Sequence, residues 1–340
     1  MRIALDASYS LGPELTGVGV YSREILHGLA ARHPEAQYVF CFRSNKFFKS
    51  LAAKSPAARR PFSDSWLPAH SLFHGLNQRL PAAPLKASVT TFHDLFVMTG
   101  DYSTPAFRQR FTAQARAAAT RADLIICVSA FTAAQVESLL SVPKSRLRVV
   151  HHGVHAPGEL PPPGAREPIV LSVGSIQTRK NTARLVEAFE QTRPGWKLIL
   201  AGAAGFGAQD IVARIQDSPR AADIQITGYL ADSELAALYR RASLFAFPSL
   251  DEGFGIPVIE AMAHGVPVIT SDRSALAEIS GEAALHVNPN ETVGLAHAMQ
   301  TLMDQPGLCR ELARRGLEWS AQFTWDRAVD ATWNVYRELL

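Results

Sequence analysis

The chain has 340 residues, 47% of them hydrophobic and 19% charged, the composition of an ordinary folded protein long enough for about two domains. It contains no run of 18 apolar residues, which excludes a membrane-spanning helix. The net charge of +3 hides an asymmetry: residues 1–155 carry 18 Lys and Arg against 9 Asp and Glu, whereas residues 156–340 carry 16 against 22. Such a split points to two units with different partners.

MRIALDASYS opens with one arginine and a short apolar run broken by Asp6. This pattern predicts a first strand over 2–7 rather than a signal peptide. A glycine-containing loop follows, TGVGVYS, and then a helix with Val20, Ile25, Leu26 and Leu29 at helical period. Asp6 has two readings, a cap on the glycine loop or a ligand contact. Further strands are expected at YVFCF (38–42), SVTTF (88–92), LIICVS (124–129) and LRVVHHGV (147–154), with an alanine-rich helix over 107–123 bearing arginines on its outer face. Strands alternating with helices predict a parallel sheet covered on both faces.

Residues 43–60, RSNKFFKSLAAKSPAARR, hold six basic residues and no acid, interleaved with Phe47, Phe48 and Leu51. One reading is a solvated basic loop; another is a segment that meets an anionic membrane surface, for which mixed aromatic and basic side chains are suited. Nucleic acid is not expected as a partner. The three cysteines, Cys41, Cys127 and Cys309, lie far apart in apolar settings with no CxxC spacing, so reduced, buried thiols of a cytoplasmic protein are expected. His151, His152 and His155 imitate a metal trio, but one strand end cannot easily converge all three. A hinge role is expected there and no metal site.

APGELPPPGAREP (156–168) has five prolines and two glycines in thirteen residues, which predicts an interdomain linker. The strand–helix rhythm then restarts with IVLSVG (169–174), KLILAG (197–202), IQITGYL (224–230), LFAFPS (244–249), PVIT (267–270) and ALHV (284–287). The expected organisation is a first domain over 1–155, a second over 169–322 and a C-terminal helix over 323–340 with Trp325, Ala328, Trp333 and Tyr336 at core spacing. No repeat relates the two halves. Doubly wound sheets of this kind bind ligands beyond the C-terminal ends of their strands.

Two such junctions carry chemistry. In DEGFGIPVIEAMAHG, a loop after the strand LFAFPS leads into a helix with Pro257 in its first turn, closing at Gly265. Glu252 then stands on the loop and Glu260 about one turn inside the helix, with the anion-attracting amides of the helix N-terminus between them. Carboxylates accept hydrogen bonds from vicinal diols, so this spacing suits a ligand with hydroxyls at both ends and phosphate in the middle, that is, a sugar nucleotide. The plain alternative is a glycine-stiffened loop with a helix-dipole glutamate. One junction earlier, VGSIQTRKN places Arg179 and Lys180 ahead of a helix capped by Asn181 or Thr182, two cations able to clamp a diphosphate. A surface basic pair is the alternative.

Together FPSLDEGFGIPVIEAMAHGVPVIT, VGSIQTRKNTARLVEAF and GYLADSELAALYRRASLF resemble family 4 of the retaining glycosyltransferases, and TGVGVYSREILHGL, TFHDL and ICVSAFT extend the likeness over nearly the whole chain. The resemblance implies an α/β GT-B fold, two Rossmann-like doubly wound domains facing each other across a cleft. It implies that Glu252 contacts the donor sugar's hydroxyls and Glu260 the ribose. Arg179 and Lys180 would hold the diphosphate, and the amides of Gly253, Phe254, Gly255 and Ile256 the sugar and phosphate. Gly17 and Gly19 would lie close to the diphosphate, Gly228, Tyr229 and Leu230 would line the base, and His93 would stand near the reacting carbon; the alternative for His93 is a histidine fixing its own loop. Many members carry an arginine after the glycine at 174, where this chain has Ser175, so one phosphate contact is missing or falls to Arg179.

The implied reaction is transfer of a hexose, with mannose from GDP-mannose favoured, from a nucleotide-diphosphate sugar to a glycan or lipid-linked hydroxyl. Retention at the anomeric carbon and independence from metal ions and other cofactors are expected. The location expected is the cytoplasm, or the inner face of the membrane. Rivals are a non-hydrolysing sugar-nucleotide epimerase of the same fold, or a catalytically silent sugar-nucleotide binder. A nicotinamide-dependent oxidoreductase is disfavoured because TGVGVYS lacks the third glycine of GxGxxG and comes about ten residues late.

Overall fold

A computed structural model describes residues 1–12, 14–52, 54–162 and 165–340. Ala53, inside the basic segment 43–60, and Pro163 and Gly164, inside the expected linker, lie outside the described residues. The chain forms two units, residues 1–153 with 323–340, and residues 154–322.

In chain order the first unit contains β1 (Arg2–Asp6), α1 (Gly17–Arg32), β2 (Gln37–Arg43), α2 (Ser44–Ser50), β3 (Ala58–Phe62), β4 (Leu72–Gly75), β5 (Ser88–Phe92), α3 (Phe96–Thr99), α4 (Pro105–Arg121), β6 (Leu124–Cys127), α5 (Ala130–Leu140) and β7 (Leu147–Val149). The seven strands pair in parallel in the order β3-β2-β1-β4-β5-β6-β7. Winding therefore reverses between β1 and β4, the switch point of the sheet. Burial of β1, β4, β5 and β6 on both faces explains their near-continuous apolar runs. Helix starts follow local chemistry: Thr104 caps α4, with Pro105 at its first position, and the Ser129 hydroxyl accepts from the Thr132 amide at the head of α5.

Two strands depart from the sequence expectation. ARRPF forms edge strand β3, where a proline and two cations are tolerated because one edge lacks a partner. LFHG forms the fully buried β4, although His74 and Gly75 read as breakers. The basic segment is thus not a single loop: α2 and β3 lie within it, with Phe48 79% exposed and Leu51 53% exposed. The run expected as a strand to residue 154 ends at Val149.

The second unit contains β8 (Glu167–Val173), α6 (Thr182–Glu190), β9 (Lys197–Ala201), α7 (Ala208–Gln216), β10 (Ile224–Gly228), α8 (Asp232–Arg241), β11 (Ala242–Phe247), α9 (Ile256–Ala263), β12 (Val268–Ser271), α10 (Ser274–Ser280), β13 (Ala284–Val287), α11 (Thr292–Asp304) and α12 (Pro306–Ser320). Its six parallel strands run β10-β9-β8-β11-β12-β13, so the switch point lies between β8 and β11. Strand β8 begins two residues inside the segment expected to be linker. Glu167 pairs there with Ala242 in the sheet, and its carboxylate meets Arg241 at 2.5 Å. The core gathers Val170, Leu185, Leu198, Leu244, Ile269 and Met299.

The chain then returns to the first unit as α13 (Trp325–Arg337). Its apolar face, Trp325, Val329, Trp333 and Tyr336, is buried with Ile25 and Leu29 of α1. A Cβ on Gly28 would come within 2.4 Å of Val329, so glycine permits the close approach of these helices. Arg32 clamps the pair through Asp330 at 2.6 Å, and His33 stacks on Trp333. Gly153 and Trp325, where the chain leaves and re-enters this unit, are packed so tightly that a Cβ at 153 would lie 2.1 Å from the Trp325 nitrogen.

Candidate functional site

In the second unit the loops after β8 and β11, on either side of the switch point, bring the predicted ions together. Past β8 the chain makes a 3-10 turn, Thr178–Lys180, then turns at Asn181 with φ of 59° before α6 begins. The Asn181 side chain does not cap the helix. Its amide donates to the carbonyls of Pro248 at 3.1 Å and Pro289 at 2.6 Å, stapling this turn to the loops after β11 and β13. The Leu250 amide donates to the Arg179 carbonyl at 2.8 Å, and Arg179 Nη1 returns a bond to the Asp251 carbonyl.

Glu252 Oε1 receives Lys180 Nζ at 2.5 Å, Ser249 Oγ at 2.6 Å and Arg179 Nη1 at 2.8 Å. Lys180 also lies over the Phe247 ring at 4.5 Å, a cation–π contact that fixes its stem. Arg179 is 7% exposed and Glu252 8%, which removes the surface-pair reading. Burial alone would raise the Glu252 pKa. The fields of Arg179 and Lys180, with hydrogen bonds from Lys180 and Ser249, outweigh it and hold the carboxyl at about 2. Two cations share one carboxylate oxygen, so an anionic ligand reaching them competes directly with Glu252.

Glu260 lies half-buried on α9, after a start shaped by Gly255 at φ of 111°; a Cβ there would come within 2.6 Å of Leu276. Its Oε2 accepts from the Tyr239 hydroxyl at 3.0 Å, and burial raises its pKa. Gly253 and Phe254 are buried in the preceding loop and Ile256 begins the helix. Gly228 ends β10 at φ of 73° with open space where a Cβ would stand, Tyr229 beyond it is 40% exposed, and Leu230 is half-buried. Sequence reasoning did not mark Ser249 or Tyr239. Helical period in LAALYRR places Tyr239 on a buried face, but nothing in the pattern says where its hydroxyl points.

In the first unit, Gly17 and Gly19 are not a loop but the first turn of α1, because the preceding residues already complete the connection from β1. Gly19 packs so closely that a Cβ would lie 3.1 Å from the Tyr9 carbonyl. Asp6 likewise caps no glycine loop: its carboxylate accepts from the Ser8 amide at 3.0 Å and starts a 3-10 turn over Ala7–Tyr9. His93, just past β5, is buried, and its Nε2 donates to the Leu76 carbonyl at 3.0 Å. Burial lowers its pKa to about 4, so at neutral pH the ring is uncharged with its proton on Nε2, and Nδ1 is an acceptor. It stacks on His152 at 5.4 Å and meets Tyr21 edge-on at 4.7 Å. The three histidines near the linker are separated: His151 and His152 belong to the first unit and His155 to the second. No cluster of His, Cys, Asp and Glu able to hold a metal occurs among the described residues. Cys41 and Cys127 are buried thiols as expected, whereas Cys309 on α12 is only partly covered.

Two doubly wound parallel sheets, with ion-bearing loops at the switch point of the second, define a two-unit α/β protein with a buried charged junction, and comparison with known proteins gives the family. The model described as Glycosyl transferases group 1 matches residues 161–319, and that described as Glycosyltransferase Family 4 matches residues 65–156. O-antigen chain mannosyltransferase B of Escherichia coli is 32% identical over 286 residues, covering 79% of this chain and 74% of that protein. Sucrose-phosphate synthase from Thermosynechococcus elongatus superposes with a TM-score of 0.82 at 23% identity, covering 100% of this chain and 99% of the other. Anabaena HepE, solved with UDP-glucose, gives 0.77 at 18% identity over 99% and 100% of the two chains. The chain belongs to glycosyltransferase family 4, the glycosyl transferases group 1, and is a glycosyltransferase of the GT-B type.

Proposed function

We propose that this glycosyltransferase moves a hexose, mannose in the first instance, from a nucleoside-diphosphate donor to a hydroxyl of a glycan or lipid-linked acceptor, with retention and without a metal ion. The observation that carries the reading is the convergence of buried Arg179 and partly buried Lys180 on Glu252 at the switch point of the second unit. Breaking a glycosidic bond to phosphate develops negative charge on the leaving diphosphate. Preorganised cations in a water-poor pocket stabilise that charge strongly, which is the service a divalent ion renders elsewhere. Mannose is favoured by the relative named as an O-antigen chain mannosyltransferase, and a nucleoside-diphosphate donor by a fold neighbour solved with UDP-glucose.

Glu252 sits beside the clamp, yet a carboxylate that accepts from two cations and a serine, with its pKa held at about 2, is a weak base and a weak nucleophile. That supports retention by the departing phosphate, which would deprotonate the acceptor on the face it leaves, over a glycosyl-enzyme on Glu252. Glu260 is assigned to the ribose diol. The acceptor falls to the basic first unit. There α2 carries Phe48 exposed beside Lys49, which suits an anionic lipid surface holding a lipid-linked acceptor. No helix is long and apolar enough to cross a membrane among the described residues.

The test is calorimetric binding of GDP-mannose, UDP-glucose and UDP-N-acetylglucosamine, followed by NMR of the product's anomeric configuration. Binding of one donor, with an axial product from an axial donor, is the expected result. An inverted product would overturn the retention step, and release of an epimerised sugar nucleotide without acceptor would favour an epimerase. Liposomes containing anionic lipid should bind the protein, and Phe48→Ser with Lys49→Ser should release it.

A further inference from the structure

The carboxylate of Glu260 is held by a group outside the motif that contains it. Tyr239, on α8, is 1% exposed, and its hydroxyl donates to Glu260 Oε2 at 3.0 Å, with the Pro257 carbonyl at 3.4 Å. The tyrosine ring is itself fixed. It stacks on His264 with centroids 4.9 Å apart and planes at 21°, and packs against Phe245 at 5.9 Å. His264 in turn is tied to the same helix turn, its Nδ1 bonded to the Glu260 carbonyl at 2.7 Å. A guanidinium bolts the two helices together: Arg166 donates through Nη1 to the carbonyls of Tyr239 and Ala242 at 2.8 Å each, and through Nη2 to that of His264 at 2.5 Å. The C-terminal ends of α8 and α9 therefore move as one, and the Tyr239 hydroxyl keeps its place against Glu260.

We propose that Tyr239 is a positioning residue for Glu260: by occupying Oε2 it fixes the carboxylate plane and presents Oε1 to the vicinal hydroxyls of the nucleotide ribose. The inference rests on the ribose role of Glu260 and adds to it the group that sets the carboxylate's orientation and charge. With the Tyr239 hydroxyl donating to Oε2 and a ligand diol to Oε1, both oxygens are called on as acceptors, which the ionised carboxylate satisfies and the neutral acid, carrying a proton on one of them, does not. Burial pushes Glu260 towards its neutral form, the Tyr239 hydrogen bond opposes this, Asp232 at the head of α8 adds to the upward push, and His155 ahead of β8 counters it. His264, whose ring bonds the Glu260 carbonyl, is itself pushed towards the neutral form by burial. Removing the Tyr239 oxygen thus takes away both a geometric restraint and a stabiliser of the charged state.

The experiment compares GDP with 2′,3′-dideoxy-GDP, and UDP with 2′,3′-dideoxy-UDP, by calorimetry between pH 5 and 8, in wild type, Tyr239→Phe and Glu260→Gln. The phenylalanine change removes one oxygen and keeps the stacked ring, and affinity for the dideoxy nucleotide reports whether the site is still folded. Wild type should prefer the ribonucleotide by roughly tenfold or more, and Glu260→Gln should erase most of that preference. Tyr239→Phe should lose about threefold to tenfold of ribonucleotide affinity, keep its dideoxy affinity, and lose the preference at a higher pH than wild type. A Tyr239→Phe protein with wild-type preference and wild-type pH midpoint would overturn the inference while leaving Glu260 its role, as would equal weakening of both nucleotides. A preference that survives Glu260→Gln, or no ribonucleotide binding in wild type, would remove the ribose role itself and the inference with it.

Discussion

The two units place buried polar clusters on the same kind of scaffold and treat charge in opposite ways. In the second unit Glu252 stays ionised because two cations and a serine hydroxyl overcome its burial. In the first unit, a chain of hydrogen bonds runs from the Tyr336 hydroxyl to His74 Nδ1 at 2.6 Å, from His74 Nε2 to the Thr91 hydroxyl at 2.8 Å, and on to the Tyr21 hydroxyl at 2.8 Å. Burial first, and the nearby His93 second, take the His74 pKa down to about 3, with no carboxylate among the described residues opposing them. A neutral imidazole carries one N–H, so whichever direction the protons point, the chain bears no net charge. The lesson is that burial sets the sign only when unopposed. The first unit keeps this chain of histidine, threonine and tyrosines neutral, and the second concentrates charge where an anion is to be bound.

The sharpest way to break that contrast is Glu252→Gln. It leaves buried Arg179 and partly buried Lys180 against a neutral amide, which should cost about 3–5 kcal/mol of unfolding free energy without ligand. GDP should then raise the melting temperature of the variant by more than it raises that of wild type, because the cations no longer have an internal competitor. Equal shifts would mean that Glu252 and the diphosphate do not share these cations. Lys180→Ala should lower kcat with the natural donor by about a hundredfold or more, as loss of a leaving-group stabiliser does. A fall confined to KM would reassign the lysine to uniform binding.

Acid sharpens the comparison by separating the two clusters. For His74 the folded pKa lies below the unfolded 6.5, so its contribution to stability is complete above pH 6.5 and disappears as pH falls towards about 3. For Glu252 the same sign applies between 4.5 and about 2. Between pH 7 and 5 the histidine should therefore cost about 2 kcal/mol and the glutamate almost nothing. Urea unfolding of wild type and His74→Gln at the two pH values measures the difference, and identical slopes would refute it. The smallest expected effect is that of Tyr336→Phe, about 1 kcal/mol for one bond in the neutral chain, visible as a fall of a few degrees in melting temperature.

Much of this was legible beforehand. The ion-bearing loops, Glu252 and Glu260 on either side of Pro257, and a C-terminal helix with an apolar face all follow from period, proline and glycine placement, whereas the packing of that helix back on the first unit was implied only by the family resemblance. The misreadings have separate causes. Gly17 and Gly19 were expected in a loop because the family resemblance implies a glycine loop after the first strand, but they form the first turn of α1, where the helix penalty of glycine is small, and Gly19 sits close to Leu15 and the Tyr9 carbonyl. Strand β4 was missed because His74 is polar, and only its partners Tyr336 and Thr91, 262 and 17 residues away, make it a core residue. Asn181 or Thr182 was expected to cap the helix, and Asn181 instead ties three loops, a task no local pattern encodes.

Sequence alone determined the class of fold and which residue types stand beyond the central strands of the second sheet, because these are properties of local period and spacing, and its motifs carried the resemblance to the family. Tertiary structure alone decided their state. Glu252 is ionised because loops 72 residues apart meet at one oxygen, His93 is neutral because β4 and β5 bury it against a carbonyl, and Glu260 is held by a tyrosine on another helix. Charge and orientation in a buried site depend on distances between groups remote in the chain, and those distances exist only once the sheet has formed.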